Sequence, residues 1–286
     1  MNSIRFTKMT AAGNDFVLID MLKNPSLDFA SNLIKNLCDR RFGIGADGVL
    51  VISESERSDY LLQYFNSDGS SGSLCANGSR ASALYYYESV GKVKPDVHFE
   101  FNGDIYLAQI LEENSIKLKL KKPHHSKLNF KIMCGGQLVN ASFINTGSPQ
   151  VLINIKDMFV NENPNKGKYT SLDEVPVYEL GRELRYAKEF RPEGTNVNFI
   201  ETLGDSIKIR SYERGVEEET FACGTGIVAA ALVSAVNDNF QPPIKLYSKA
   251  GNEFKVDFVI DNQSIKELFL QGTAKNVYTG VYPINL

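Results

Sequence analysis

Two hydrophobic rhythms alternate along the chain. Apolar residues that run together for four to six positions, or recur at every second one, predict strands; recurrence at every third or fourth predicts helix. The stretch from Ile4 to Asp20 reads as strand, turn, strand, with Ala12-Gly13-Asn14-Asp15 turning and Phe16-Val17-Leu18-Ile19 as the apolar run. A helix follows from Pro25-Ser26, with Asp28 in its first turn and Leu27, Ala30, Leu33, Ile34 and Leu37 at helical spacing; Arg40 and Arg41 sit near its end and Gly43 stops it. Residues 49–52 and 60–65 read as strands, and a turn-rich loop over 66–73 leads to Cys75 and a helix through Glu88. Strands return at 97–101, 105–111 and 116–120. The polar, proline-containing stretch 121–126 marks the domain junction, with His124 and His125 as a solvated linker pair.

The second half repeats this outline. Strands at 131–133, 141–145 and 151–155 precede a polar stretch at 161–168 and a helix over 172–185. Strands at 195–200 and 207–212 then lead through a charged loop, 213–219, to Cys223 and a helix through Val236. From Lys245 onward the pattern predicts four short strands.

The two halves share a local signature. Cys75-Ala76-Asn77-Gly78-Ser79-Arg80-Ala81-Ser82-Ala83-Leu84 sets Cys, Gly, Ala, Ala and Leu at the offsets of Cys223-Gly224-Thr225-Gly226-Ile227-Val228-Ala229-Ala230-Ala231-Leu232. Gly and Ala let backbones approach closely, which suits a helix at a domain centre. A chain of two similar halves predicts a pseudo-two-fold arrangement in which the equivalent cysteines face each other across a cleft. Unsatisfied N–H groups and the helix dipole favour a thiolate at a helix N-terminus, and the same donors hold a carboxylate. Two thiols flanking the carbon beside that carboxylate would invert it, one removing a proton as thiolate and the other returning one from the opposite face. The charge that builds on the carboxylate oxygens would be met by fixed donors. The scheme needs no metal and no electron-sink cofactor, and the sequence carries a signature for neither.

Composition narrows the alternatives. At about 150 residues per domain, 286 residues suggest two domains. With 43% hydrophobic and 23% charged residues the chain reads as globular, not disordered. A net charge of −3 gives no global reason for nucleic-acid or membrane-surface binding. No apolar run approaches the roughly 18 residues that span a bilayer. The N-terminal MNSIRFTKMTAAGND has no signal-peptide core, so a cytoplasmic location is expected. Four cysteines are too sparse for a disulfide scaffold and show no zinc spacing. A lone cysteine is more often a small buried hydrophobe than an acid or base, and Cys38 and Cys134 take that reading. Gly43-Ile44-Gly45-Ala46-Asp47-Gly48 matches G-x-G-x-x-G, but a helix precedes it and a strand follows, the reverse of the order a dinucleotide site needs.

Over nearly its whole length the chain resembles the diaminopimelate epimerase family, cofactor-independent enzymes of the lysine and cell-wall pathway. The markers are Gly13-Asn14-Asp15-Phe16, Gly43-Ile44-Gly45-Ala46-Asp47-Gly48, Phe65-Asn66-Ser67-Asp68-Gly69, Cys75-Ala76-Asn77-Gly78, Gly194-Thr195-Asn196-Val197-Asn198-Phe199, Glu213-Arg214-Gly215 and Ala222-Cys223-Gly224-Thr225-Gly226. The resemblance implies an α+β fold of two pseudo-symmetric domains, each a curled, barrel-like mixed sheet around a central helix. One domain would take residues 1–123 with 275–286 returning to it, the other 124–274. It implies Cys75 and Cys223 as acid/base thiols, with Glu213 beside the reacting amino group. It implies that the backbone at Ala76, Asn77, Gly224 and Thr225 binds the reacting carboxylate. Asn14, Asn66, Ser148, Asn196 and Arg214 would position the rest of a small amino-acid substrate, a guanidinium fork suiting its distal carboxylate. A homodimer is implied, with no cofactor, no metal, no nucleic acid and no membrane.

The chain departs from the family at several points. Ala76 replaces the usual Gly, which leaves backbone donation intact unless the residue needs positive φ. The usual Gly-Asn-Pro-His loop is Gly147-Ser148-Pro149-Gln150, so a shorter side chain replaces Asn and a group that cannot titrate replaces His. Three readings stay open at this point: the family's own reaction, a same-fold racemase of another amino acid, and an amino-acid binder without turnover. Retention of both thiols counts against the last.

Overall fold

The computed structural model describes residues 2–25, 29–262 and 264–284. The chain divides into two units, Met1–Lys119 with Gln271–Leu286, and Leu120–Leu270.

In the first unit a sheet wraps one helix. Its strands are β1 (Asn2–Ala11), β2 (Asn14–Asp20), β3 (Gly48–Ser53), β4 (Tyr60–Asn66), β5 (Asp96–Phe101), β6 (Asp104–Ile110) and β7 (Ser115–Lys119), joined by the last strand of the chain, β17 (Lys275–Ile284). β17 runs antiparallel to β1, Asn2 standing opposite Ile284 and Thr10 opposite Lys275. Helix α1 (Ser31–Cys38) links β2 to β3, and α2 (Ala76–Ser89) links β4 to β5. All eight of these strands touch α2. That placement explains the helix's sequence: residues 76–85 are buried all round, so small residues replace an amphipathic stripe. β3 is apolar at five successive buried positions, as a strand covered on both faces must be.

The second unit repeats the scheme with β8 (His124–Cys134), β9 (Gln137–Asn145), β10 (Pro149–Asn154), α3 (Val177–Arg185), β11 (Asn196–Leu203), β12 (Ser206–Glu213), β13 (Glu218–Thr220), α4 (Gly224–Asn237), β14 (Ile244–Tyr247), β15 (Glu253–Asp261) and the larger part of β16 (Ser264–Thr273), whose last three residues fall in the first unit. Helix α4 packs against β9, β10, β11, β12, β14 and β15. The pairing sequence is the same in both units. Antiparallel β1–β2, parallel β2–β3, antiparallel β3–β4, parallel β4–β5 and antiparallel β5–β6 match β9–β10, β10–β11, β11–β12, β12–β14 and β14–β15 in turn. Register alignment makes Phe16 the counterpart of Gln150, and Leu50 the counterpart of Asn198.

Several local expectations need correction. The first helix begins at Ser31, after an extended Ala30, not at Pro25; the predicted helical positions 26–28 lie outside the described residues. The helix predicted over 172–185 is a short 3-10 turn, Leu172–Glu174, followed by α3. Pro176 intervenes, and its ring disfavours helical geometry at Val175. His124 and His125 are exposed, as a solvated pair should be, but they open β8 rather than a linker, His124 standing opposite Asn145. Three of the four tail strands are nine or ten residues long, not short. The G-x-G-x-x-G segment lies between α1 and β3, the order that excludes a dinucleotide fingerprint.

Candidate functional site

Each candidate cysteine is the N-cap of its unit's central helix. Cys75 has φ −93° and ψ 110°, and Cys223 has φ −101° and ψ 106°, so the chain enters both helices in the same extended conformation. Ala76 and Gly224 take the first helical position, and neither has positive φ. The alanine therefore keeps the backbone donor that glycine would supply. Gly78 and Gly226 stand three residues after the cysteines, where a side chain has no room. A Cβ at Gly78 would lie 2.8 Å from Leu50 Cδ2, and one at Gly226 would lie 2.3 Å from Asn198 Oδ1.

In the first unit Asn14, Cys75 and Asn77 come together. Cys75 Sγ accepts from the Gly78 N–H at 3.4 Å and lies 3.8 Å from Asn14 Oδ1. Asn77 Nδ2 reaches the same oxygen at 3.5 Å. Asn14 is oriented by its own donation to Asp47 Oδ2 at 2.6 Å. Asp47 is tied to Arg40, which also grips Asp15 through both guanidinium ends. Lys8 completes the cluster with an ion pair to Asp15 at 2.7 Å and a close contact to the Gly45 carbonyl. Burial opposes ionisation of Asp15, but hydrogen bonds and charge from Arg40 and Lys8 outweigh it and hold its carboxyl down to about 2. Asn66 sits at the end of β4 and donates to Ser70 Oγ at 3.0 Å.

The second unit brings together Ser148, Asn196, Glu213, Cys223 and Thr225. Ser148 Oγ lies 3.0 Å from Thr225 Oγ1, and Asn196 Nδ2 donates to Ser148 Oγ at 3.1 Å. Asn196 Oδ1 accepts from the Arg214 N–H at 2.8 Å, while the Arg214 guanidinium donates to the Glu193 carbonyl. Thr220 donates from its hydroxyl to Glu213 Oε1. Cys223 Sγ lies 3.5 Å from Thr225 Oγ1 and 4.0 Å from Gln150 Nε2. Burial pushes the Cys223 thiol well above the ordinary range, and the Glu213 carboxylate pushes it further; the Thr225 hydroxyl and the Gly226 N–H only partly offset this. Both burial and the neighbouring carboxylate thus favour the protonated form of Cys223.

Beneath Cys223 runs a polar chain that the sequence reading did not single out. Asn198 is fully buried and donates through Nδ2 to the Val151 carbonyl at 3.1 Å and to Gln150 Oε1 at 2.8 Å. A backbone carbonyl can only accept, so Nδ2 must face it. Gln150 is thereby fixed with Oε1 toward Asn198 and Nε2 toward Ser148 Oγ (2.8 Å), Thr225 Oγ1 (2.9 Å) and Cys223. Ser211 closes the chain by donating to Asn198 Oδ1 at 2.7 Å. The signal available in the sequence was a polar residue inside an apolar run, Val197-Asn198-Phe199-Ile200. Arg80, fully buried amid small residues of α2, carries the same signal.

The remaining thiols lie in the cores. Cys38 packs with Ile34, Leu37, Val49 and Val51, and Cys134 with Ile132, Val139, Val151 and Leu184. Burial pushes their thiols up to about 11 and about 12 respectively.

The family model for diaminopimelate epimerase matches residues 6–125 and 143–277. The chain is 35% identical over 290 residues to the diaminopimelate epimerase of Aquifex aeolicus (strain VF5), covering 97% of each. It is 36% identical over 276 residues to that of Chlorobaculum tepidum, covering 95% of this chain and 98% of the relative. Among solved structures it is similar to a Bacillus anthracis phenazine biosynthesis protein of the PhzF family, with TM-score 0.74 and 16% identity over 99% of this chain and 100% of that one. A hydroxyproline epimerase from Agrobacterium vitis gives TM-score 0.70 and 13% identity over 98% and 91%. At such identities the solved structures speak to the fold alone. With its α+β architecture and full-length similarity, the chain belongs to the diaminopimelate epimerase family.

Proposed function

We propose that this chain converts LL-2,6-diaminopimelate to the meso isomer without a cofactor, using Cys75 and Cys223 as the acid–base pair. One sulfur, as thiolate, takes the proton from the α-carbon, and the electron pair passes into the carboxylate as a planar dianion. The other thiol delivers its proton to the opposite face. The products are the inverted amino acid and a pair in which thiol and thiolate have exchanged, so atoms and charge balance. N–H groups at Ala76, Asn77, Gly224 and Thr225 are the fixed donors that meet the developing oxygen charge, and Glu213 supports the reacting amino group. Asn14, Asn66, Ser148, Asn196 and Arg214 hold the rest of the substrate. The observation that supports this best is the shared placement of the two cysteines as N-caps of the two buried central helices. As a biosynthetic enzyme the protein would act in the cytoplasm as a homodimer.

Ser148 and Gln150 favour a second reading, inversion of a different amino acid, because both alter the loop beside Cys223. One experiment separates the two. The pure protein, with no pyridoxal cofactor, is incubated in heavy water with LL-diaminopimelate or a panel of L-amino acids, and deuterium at Cα is measured together with stereochemistry. Exchange with inversion of diaminopimelate alone is expected, and Cys75→Ala or Cys223→Ala is expected to abolish inversion. Exchange confined to another amino acid moves the assignment to the second reading, and full turnover in either alanine variant removes the two-thiol mechanism.

A further inference from the structure

The hydroxyl groups beside Cys223 have a fixed hydrogen-bond direction, because the amides that flank them are anchored on backbone. Asn196 accepts the Arg214 N–H through Oδ1 at 2.8 Å, so its Nδ2 donates to the Pro149 carbonyl and to Ser148 Oγ, both at 3.1 Å. The Val151 carbonyl fixes Asn198 in the same way. Asn198 in turn fixes Gln150, with Nε2 toward Ser148 Oγ at 2.8 Å and Thr225 Oγ1 at 2.9 Å. A hydroxyl oxygen has two lone pairs and one proton. Ser148 Oγ accepts from Asn196 and from Gln150, which fills both lone pairs. Its own proton goes to Thr225 Oγ1, at 3.0 Å. Thr225 Oγ1 thereby accepts from Ser148 and from Gln150 and is filled in its turn. Among the described residues, the Thr225 proton is left with one acceptor, Cys223 Sγ at 3.5 Å.

We propose that the Thr225 hydroxyl is a catalytic residue, locked as a donor to Cys223 Sγ, that stabilises the thiolate left when Cys223 passes its proton to the substrate. Ser148 and Gln150 are the positioning residues that hold it in that direction. This rests on the two-thiol reading above. Burial and Glu213 favour the protonated sulfur, so the thiolate stage of the cycle is the one that needs a donor. A hydrogen bond to a charged acceptor is stronger than one to a neutral acceptor, so the contact gains strength as the proton leaves. The amides of Asn196, Asn198 and Gln150 do not titrate, so the order holds across the neutral pH range.

The relay is built into one unit only. Its counterparts in the first unit are Phe16 for Gln150 and Leu50 for Asn198, and Asn77 stands at the offset of Thr225. There Asn14 donates Nδ2 to Asp47, so it turns its oxygen toward Cys75. One sulfur thus meets a hydroxyl donor and the other an amide acceptor. Around α4, the charge that bears on Cys223 is Glu213 on β12, whose carboxylate Thr220 holds. β9 and β10 carry no titratable side chain, and Glu201 on β11 accepts from the Leu172 N–H. Lys208 and Arg210 on β12 alternate with buried Ile207 and Ile209, and Arg210 pairs with Glu219, which also takes Lys249. Tyr212 donates to Glu217. On β14 Lys245 is exposed and Tyr247 donates to Glu253 of β15, where Lys255 and Asp257 alternate with buried Phe254, Val256 and Phe258.

The test reads the reactivity of one sulfur and not turnover, so its failure is distinct from failure of the proposed reaction. The full-length protein is alkylated with iodoacetamide, and Cys223 is followed by peptide mass spectrometry with Cys75, in the other unit, as internal reference. At a pH below its midpoint a thiol reacts in proportion to its thiolate fraction. Thr225→Val keeps the shape and the backbone N–H and removes the hydroxyl. It should lower the Cys223 rate about tenfold relative to Cys75. Thr225→Ser, which keeps the hydroxyl, should stay close to the unmutated rate. Gln150→Met, which removes the donor that directs the relay, should also lower the Cys223 rate. An unchanged Cys223 rate in folded Thr225→Val overturns the inference. An equal fall in Thr225→Val and Thr225→Ser overturns it too, because it marks a packing role, and so does a rise in Gln150→Met. If Thr225→Val does not fold, Thr225→Ala, which only shortens the side chain, takes its place under the same outcomes.

Discussion

Asn198→Asp is the sharpest probe of the polar chain under Cys223. The new carboxylate would occupy a fully buried position and set an acceptor against the Val151 carbonyl at 3.1 Å and Gln150 Oε1 at 2.8 Å. Gln150 can flip its amide to answer one of these, which turns its carbonyl oxygen toward Cys223; the Val151 carbonyl cannot adapt. Losing that hydrogen bond costs about 1–3 kcal/mol. A fully buried carboxyl titrates roughly 3 units above its unfolded value, which is about 4 kcal/mol at a pH where the unfolded chain is ionised. The folded form then binds more protons than the unfolded one. Stability relative to the unmutated protein therefore falls as pH rises from about 4 through the raised native pKa near 7. Urea unfolding of both proteins at pH 5 and pH 8 measures this, and Asn198→Leu, which copies Leu50 of the first unit, supplies a deficit without the new charge. The Asn198→Asp deficit should grow by about 2–3 kcal/mol between the two pH values while the Asn198→Leu deficit stays level. A deficit unchanged within about 0.5 kcal/mol would refute both the burial of this position and its hydrogen-bond assignment.

Gly226→Ala should cost more stability than Gly78→Ala, by about 1–2 kcal/mol in thermal or urea unfolding, because its Cβ meets a locked amide at 2.3 Å whereas Gly78 faces a movable leucine methyl. Equal costs would contradict this. Cys38 and Cys134 should resist iodoacetamide in the native protein at pH 8 and react only after unfolding, since burial holds both as thiols; native labelling of either would show that it is not packed as described. Asp15→Asn should destabilise by about 2 kcal/mol at neutral pH. The Asp15 carboxyl is held below its unfolded value, so its contribution is present above about pH 4 and is lost as pH falls through about 2. The deficit of the variant should vanish in acid urea titrations near pH 2, and a pH-independent deficit would exclude the ion-pair account.

Much of the fold was legible because the two helices after Cys75 and Cys223 repeat in composition, and strand rhythm marked β1–β7, β10 and β12 within two residues of their positions; it began β8 and β9 late, ended β11 early and read β13 as part of a charged loop. Boundaries failed where local chemistry outweighed rhythm, as at Pro176 and in the segment before Ser31. The cysteines, Asn14, Asn77, Ser148 and Asn196 were legible as candidates from motif and chemistry. Asn198, Ser211 and Asp47 were not, because each acts through a neighbour that only the tertiary fold brings close. Asn198 reaches Gln150 from 48 residues away, and Asp47 reaches Asn14 across 33.

The pairing of β17 with β1 has a consequence for synthesis. Unit 2 is a continuous segment and can close once it has left the ribosome, but the sheet of unit 1 stays open along β1 until the strand ending at Ile284 arrives. During translation β1 presents a bare edge of N–H and C=O groups, a template for pairing with other chains. The discontinuous unit is thus the later to mature and the more exposed to misassembly, and chaperone capture of stalled chains should concentrate on the N-terminal strand.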